Sequence, residues 1–190
     1  SGGIALVQIL NILENIDLSK LEHNSENYLR ILIYAMDYAY RDRAKYLGDP
    51  AFFDVPQNFL TSKKYAREIF QKIIKSKPPS KVDLNIFEGE ETTHFSIVDK
   101  WGNVVSNTYT LNTAYGSGII PPGTGILMNN EMDDFSSKPG HPNAYGLVGS
   151  EANKIESKKT PLSSMSPTII FKDHKPYLVT GSPGGSTIIT

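Results

Sequence analysis

The sequence predicts an α+β fold built in two halves, and three observations carry that prediction. Up to Lys75, apolar residues recur at the three-to-four spacing of amphipathic helices. From Thr92 onward the pattern changes to short runs rich in β-branched and aromatic residues, separated by glycine- and proline-rich turns. Between the two lies a stretch, Lys75 to Glu91, dense in Lys, Pro and acidic residues, which suits neither element and reads as a linker. The domain expectation follows: residues 1-91 as a helical part plus linker, residues 92-190 as a β-rich part.

In the helical half, Leu6, Ile9, Leu10 and Leu13 mark one helix between Ile4 and Ile16. Asn24-Ser25-Glu26 offers a cap for a longer helix from Tyr28 to Tyr46, stopped by Gly48-Asp49-Pro50. Thr61-Ser62 caps a third, carrying Tyr65, Ile69, Phe70 and Ile73. In the second half, Phe95 and Ile97, then Val104 to Leu111, read as two strands around an Asp99-Lys100-Trp101-Gly102-Asn103 loop, where Gly102 supplies the positive φ of a short hairpin. If Asp99 faces Asn103, the register places Thr92 opposite Thr110, with Asn112 two residues further along the same face. Lys138 to Lys159 has the profile of a long surface loop. Thr168 to Phe171 and Tyr177 to Thr180 form two more strands about a turn at Asp173-His174-Lys175.

Composition removes several function classes. A net charge of −1 gives no argument for nucleic acid or an anionic membrane, and no apolar run approaches the ~20 residues of a membrane helix. With no cysteine there are no disulfides, thiolate metal sites or cysteine nucleophiles. The four histidines form no paired ligand motif, so no metal or other cofactor is expected. No serine sits in a Gly-x-Ser-x-Gly elbow, and Gly181 to Gly185 matches neither the dinucleotide nor the phosphate-loop pattern. Threonine remains. Its hydroxyl is a weak nucleophile without an adjacent base, and an N-terminal threonine carries that base as its own α-amine. Thr92 follows Glu88-Gly89-Glu90-Glu91 and would need the Glu91–Thr92 bond cut to gain such an amine; taken alone, Thr92-Thr93 equally suits the start of a strand.

Thr92-Thr93-His94-Phe95-Ser96, Trp101-Gly102-Asn103, Asn129-Asn130-Glu131-Met132-Asp133-Asp134-Phe135, Pro161 to Thr168 and Gly181-Ser182-Pro183-Gly184-Gly185-Ser186 occur together, in order. With Ser1-Gly2-Gly3, Gln8 to Glu14 and Tyr46-Leu47-Gly48-Asp49-Pro50, they make nearly the whole chain resemble the γ-glutamyltransferase family (γ-glutamyltranspeptidase, or glutathione hydrolase). The resemblance implies an N-terminal-nucleophile hydrolase fold, a four-layer α-β-β-α sandwich of which this chain is a part. It implies self-cleavage between Glu91 and Thr92, with Thr92 as nucleophile and Thr110 hydrogen-bonded to it. By the same resemblance Asn112, Glu131 and Asp134 meet the substrate α-ammonium, Ser163 and Ser164 its α-carboxylate, Gly184 and Gly185 form the oxyanion hole, and Tyr145, in a lid from roughly Pro139 to Ser150, covers the bound glutamyl group. Read as residues alone, Glu131 to Asp134 also fits an exposed acidic turn or a loose calcium ligand set, the serine pair loop capping, and Gly184-Gly185 an ordinary strand-to-helix turn.

The implied substrates are glutathione and other γ-glutamyl amides, the acceptors water, amino acids or dipeptides, and the partners the rest of the large and small subunits. The implied location is periplasmic or secreted. The family's carboxylate-gripping arginine is expected upstream of this segment, and none of the arginines here is assigned that role. Two rivals stand beside this reading: a relative acting on poly-γ-glutamate capsule, and a truncated, catalytically silent scaffold.

Overall fold

The computed structural model describes residues 2–76, 92–143 and 146–189. Most of the expected linker, Glu91 of the cleavage junction and Tyr145 of the expected lid therefore lie outside the described residues.

The helical half forms α1 (Gly2–Leu13), α2 (Glu26–Tyr46), α3 (Gln57–Leu60) and α4 (Lys63–Lys75). The expected caps are in place: Ser25 Oγ accepts from Tyr28 N–H and Ser62 Oγ from Tyr65 N–H, satisfying donors that a helix start leaves open. The one-turn α3 was not expected, because four residues are too few to show a period. Three helices bury a common core. Ala5, Ile9 and Ile12 of α1 meet Ile31, Ala35 and Ala39 of α2 and Ala66, Ile69, Phe70 and Ile73 of α4. Alanines facing one another let the helix axes approach closely, so this core is narrow and leaves little room for repacking.

Within it sits one polar cluster. The Asp42 carboxylate accepts from Gln8 Nε2 and from the Tyr65 hydroxyl, the latter at 2.9 Å, which ties α2 to both neighbours. Burial, then the Asp42 contact, pushes the Tyr65 hydroxyl above its ordinary range.

The second half forms two antiparallel hairpins: β1 (Thr92–Val98) with β2 (Val104–Thr110), and β3 (Thr168–Lys172) with β4 (Lys175–Thr180). The first has the expected register, Thr92 facing Thr110. The second turns on Asp173 and His174, both at positive φ, and carries an irregularity at Ile170/Phe171. Ser106 Oγ of β2 donates to the Thr180 carbonyl of β4 at 2.8 Å, joining the hairpins. Ile126-Leu127-Met128 forms no strand, although Met128 N–H still bonds to the Ile119 carbonyl. Loop residues Gly140 and Gly149 pair through a 2.9 Å backbone bond, and Pro142 bridges Val148.

The two halves are packed together. Ile189, past the last strand, is buried in the helical core, and Gly48 at the end of α2 lies so close to the Ala152 carbonyl that a Cβ would overlap it. Among the described residues no helix is long and apolar enough to cross a membrane.

Because Ile69 is fully buried where three helices meet, Ile69→Ala is expected to lower stability by about 2–5 kcal/mol, whereas Ile33→Ala, at a half-exposed site on α2, should stay within about 0.5 kcal/mol of wild type. Urea unfolding followed by far-UV circular dichroism checks both.

Candidate active site

One cleft, about 300 Å³ including its open mouth, is lined by Thr92, Thr110, Asn112, Glu131, Asp134, Ser163, Ser164, Met165, Gly185 and Ile188. It therefore brings together eight of the residues singled out in the sequence, from five separate segments. Gly184 adjoins this lining without being part of it.

The hairpin places the first pair. Thr92 Oγ1 donates to Thr110 Oγ1 at 3.3 Å across the register, and Thr110 Oγ1 also accepts the Asn112 backbone N–H at 2.9 Å. Asn112 leaves the strand at φ +75°, a left-handed conformation that asparagine tolerates better than most residues. That turn buries its side chain, whose Nδ2 donates to the Asn130 carbonyl at 3.1 Å. Asn130 Oδ1 in turn accepts from the backbone and hydroxyl of Thr113, both at 3.1 Å. The end of β2 is thus tied to the segment that carries Glu131.

Glu131 and Asp134 lie on one turn of 3-10 helix with their carboxyl groups hydrogen-bonded to each other. Burial first, and then the neighbouring Asp134 charge, pushes the Glu131 carboxyl up to about 7. Asp134 is also raised by burial, against the opposing pull of the Glu131 hydrogen bond and of Arg43. Two carboxyls this close cannot both ionise cheaply, so the cleft holds a proton that a bound cation would displace. Among the described residues no group of three or more His, Asp or Glu side chains is placed to hold a metal ion.

Buried Asn153 joins this wall to the next. Its Nδ2 donates to the Asp134 carbonyl at 2.7 Å and its Oδ1 accepts from Leu162 N–H at 3.1 Å, one residue before Ser163. Ser163 Oγ accepts from Met165 N–H at 3.2 Å. Ser164 Oγ accepts from Arg43 Nη2 at 3.0 Å.

Arg43 is the residue that the sequence reading missed. It is 9% exposed on α2, its Nε has no hydrogen-bond partner among the described residues, and burial lowers the affinity of its guanidinium for the proton. A signal existed: Ile31, Ala35, Ala39 and Arg43 follow one another at i+4, so Arg43 continues the buried stripe of α2 rather than its solvated face.

The glycine segment completes the cleft. Gly184 and Gly185 have φ of +132° and +56°, conformations open mainly to glycine, and Gly184 also faces Thr187 Oγ1 closely. The loop enters at Gly181, against which the His94 ring is stacked so closely that a Cβ would overlap three ring atoms. His94 Nδ1 lies 2.7 Å from Thr108 Oγ1 and its Nε2 3.1 Å from Ser96 Oγ, so the ring has little freedom to yield. The strand carrying Thr92 and the loop carrying the glycines are thereby fixed to one another.

The raised carboxyl has a stability consequence. Between the ordinary glutamate value of 4.5 and about 7, folded Glu131 keeps a proton that the unfolded chain releases, so stability is expected to fall as pH rises through that window. Asp134→Asn should return Glu131 towards its ordinary range and weaken this fall; carboxyl-carbon NMR titration of wild type and variant checks it.

Comparison with known proteins places the chain. A family model described as gamma-glutamyltranspeptidase matches residues 1–190. The glutathione hydrolase proenzyme of Escherichia coli K12 is 56% identical over 195 residues, spanning 100% of this chain and 34% of that protein. The glutathione hydrolase proenzyme of Pseudomonas aeruginosa is 50% identical, spanning 100% of this chain and 35% of that protein. The chain thus spans about a third of the length of the curated relatives it matches. Among solved structures, a mutant gamma-glutamyltranspeptidase of Helicobacter pylori is 65% identical over 52% of this chain and 53% of that one, with a TM-score of 0.50. The cephalosporin acylase of Bacillus halodurans is 25% identical over 99% of this chain and 32% of that one, with a TM-score of 0.74. Both are N-terminal-nucleophile hydrolases, in agreement with the fold type expected from the motifs. On the match along its whole length and these identities, the chain belongs to the gamma-glutamyltranspeptidase family.

Proposed function

We propose that this chain is the part of a γ-glutamyl-transferring enzyme that spans its cleavage junction, and that the cleft around Thr92 is the acyl-transfer site. The observation that carries the reading is the convergence, in one cleft, of a threonine at a strand start, a paired threonine hydroxyl, two carboxyls, two serines and a glycine at positive φ.

In maturation, Thr92 Oγ1 attacks the Glu91 carbonyl carbon, the peptide bond shifts to an ester, and water hydrolyses that ester. The products are a Glu91 carboxylate and a Thr92 with a free α-amine. That amine titrates near ~7.7–8.0 and serves as the base for the same hydroxyl in turnover. Thr92 Oγ1 then attacks a γ-glutamyl carbonyl, and the proton it loses passes through the α-amine to the departing amine. Water or an acceptor amino group takes the acyl group from the ester. Thr110 orients the hydroxyl, and the Gly184-Gly185 N–H groups face the developing oxyanion.

Glu131, Asp134 and Asn112 receive the substrate α-ammonium; Ser163 and Ser164 receive its α-carboxylate, with Arg43 behind Ser164 adding positive potential. The remainder of both subunits completes the site, and the whole folds as a four-layer sandwich. Support for those further layers comes from the apolar faces that both hairpins leave exposed, such as Val98 at 62% and Phe171 at 60%. Residues 1-91 and 92-190 correspond to the two sides of the junction, and the location is periplasmic or secreted. The capsule-polymer and silent-scaffold readings have no comparable observation behind them.

Intact mass and N-terminal sequencing of the complete protein test this. Two fragments, one beginning at Thr92, are expected, with none from Thr92→Ala and slow, incomplete processing in Thr110→Ala; an uncut wild-type protein overturns the reading. Release of glutamate from glutathione, set against poly-γ-glutamate, decides the substrate.

Ammonium binding favours ionised carboxyls, so kcat/KM is expected to rise with pH through about 7 as Glu131 loses its proton. Glu131→Gln should remove that limb while leaving the one due to the Thr92 amine, which a pH profile of both proteins resolves.

A further inference from the structure

The segment from Gly181 to Ser186 is held at both ends by side chains from different parts of the chain. Its entry is fixed by the His94 ring on Gly181. At its exit, the Tyr40 hydroxyl donates to the Ser186 carbonyl at 2.6 Å, from a residue 146 positions earlier. Tyr40 lies on α2 one turn before Arg43, so neighbouring positions of a single helix reach two walls of the cleft, the glycine segment and Ser164. The intervening turn is short. Gly185–Ile189 is a five-residue 3-10 turn, stabilised locally by Thr187, whose N–H and hydroxyl both donate to the Gly184 carbonyl at 3.1 and 2.6 Å. Ile189 anchors its far end in the helical core. The Ser186 carbonyl shares its peptide plane with the Thr187 N–H, and the Gly184 carbonyl which that N–H meets shares its plane with the Gly185 N–H, so fixing the first carbonyl restrains the direction of the Gly185 N–H.

We propose that Tyr40 is a positioning residue for the Gly184-Gly185 segment, its hydroxyl setting, through Ser186 and Thr187, the direction of the Gly185 backbone N–H in the cleft that Thr92 also lines. This rests on the reading of the cleft as an acyl-transfer site. The role belongs to the hydroxyl alone, since the ring already packs against the helical core and Phe would keep that packing. Small displacements of oxyanion donors are costly in rate because the donors act only on the transition state.

The test compares Tyr40→Phe with Tyr65→Phe in the complete protein. Tyr65 is a matched control, because its hydroxyl also loses one hydrogen-bond partner, Asp42, yet packs against the helical core and does not line the cleft. For a γ-glutamyl anilide, Tyr40→Phe is expected to lower kcat by roughly 10–100-fold with KM within about threefold, while Tyr65→Phe keeps wild-type kcat. Hydrogen exchange over residues 181–187 should quicken in Tyr40→Phe only. Wild-type kcat and unchanged exchange in Tyr40→Phe would overturn the proposal. If the wild-type protein turns over no γ-glutamyl substrate, the functional reading fails, and the exchange result decides the role of Tyr40 on its own.

Discussion

The cleft depends on the parity of the β1–β2 pairing. Side chains alternate across a strand, so Thr92 and Thr110 share a face only because the register pairs them directly. A slip of one residue would set Thr92 opposite Tyr109 or Leu111 and remove the hydroxyl pair. What holds the register lies at the other end of the hairpin, roughly 20 Å away at ~3.3 Å per residue. There the Asp99 carboxylate accepts from the N–H groups of Trp101 and Asn103 and from Asn103 Nδ2, at 2.9, 2.9 and 2.7 Å. Those bonds, that to the Asn103 side chain foremost, hold the Asp99 carboxyl below its ordinary range. Gly102 at φ +86° lets the loop close in this length. A turn remote from the cleft thus decides which oxygen faces the Thr92 hydroxyl.

A second constraint is electrostatic. Glu131 and Asp134 are crowded together, and Arg43 is buried nearby with no carboxylate in ion-pair contact among the described residues. None of the three is in its most comfortable state: burial pushes both carboxyls up, and the guanidinium is disfavoured by burial. Such an arrangement is poor for stability, and on the proposed reading a zwitterion bearing an ammonium and a carboxylate would relieve both ends at once. The polar walls themselves are well satisfied, with Asn130 and Asn153 each spanning two segments. The frustration is confined to the charged groups.

Much of this was legible in the sequence, for reasons tied to period and short-range chemistry. The long helices appeared because their apolar residues repeat over several turns, and their ends because Ser25 and Ser62 are local caps. The first hairpin register could be derived from one turn, because a strand has no freedom once its loop is set. Residues of the cleft entered through recognisable motifs, and the structure gathers eight of them. What escaped was of another kind. The α3 turn is shorter than any period, and the positive φ of Asn112 has no glycine to announce it. Arg43 and Tyr40 were read as part of a scaffold helix, because their partners, Ser164 and Ser186, lie more than a hundred residues away. Composition cannot show a contact of that range; only the continuation of the i+4 stripe through Ala39 hinted at it.

Those long-range contacts share one property. Tyr40 to Ser186, Arg43 to Ser164, the Lys45 carbonyl to Ser150 Oγ and the Asp49 carboxylate to Thr160 N–H all join residues before the expected junction to residues after it. The last turns of α2 and the Gly48-Asp49 stop therefore act as a seam between the two sides. With Ile189 in the helical core, this seam does not need the Glu91–Thr92 bond to hold it, since each contact is made far from that bond in the chain. Cutting one peptide bond beside such a seam costs the folded state little more than the tether, whose contribution grows only slowly with loop length. On the proposed maturation, cleavage must leave the cleft intact, and α2 favours this by carrying residues that reach the serine wall and the glycine segment together.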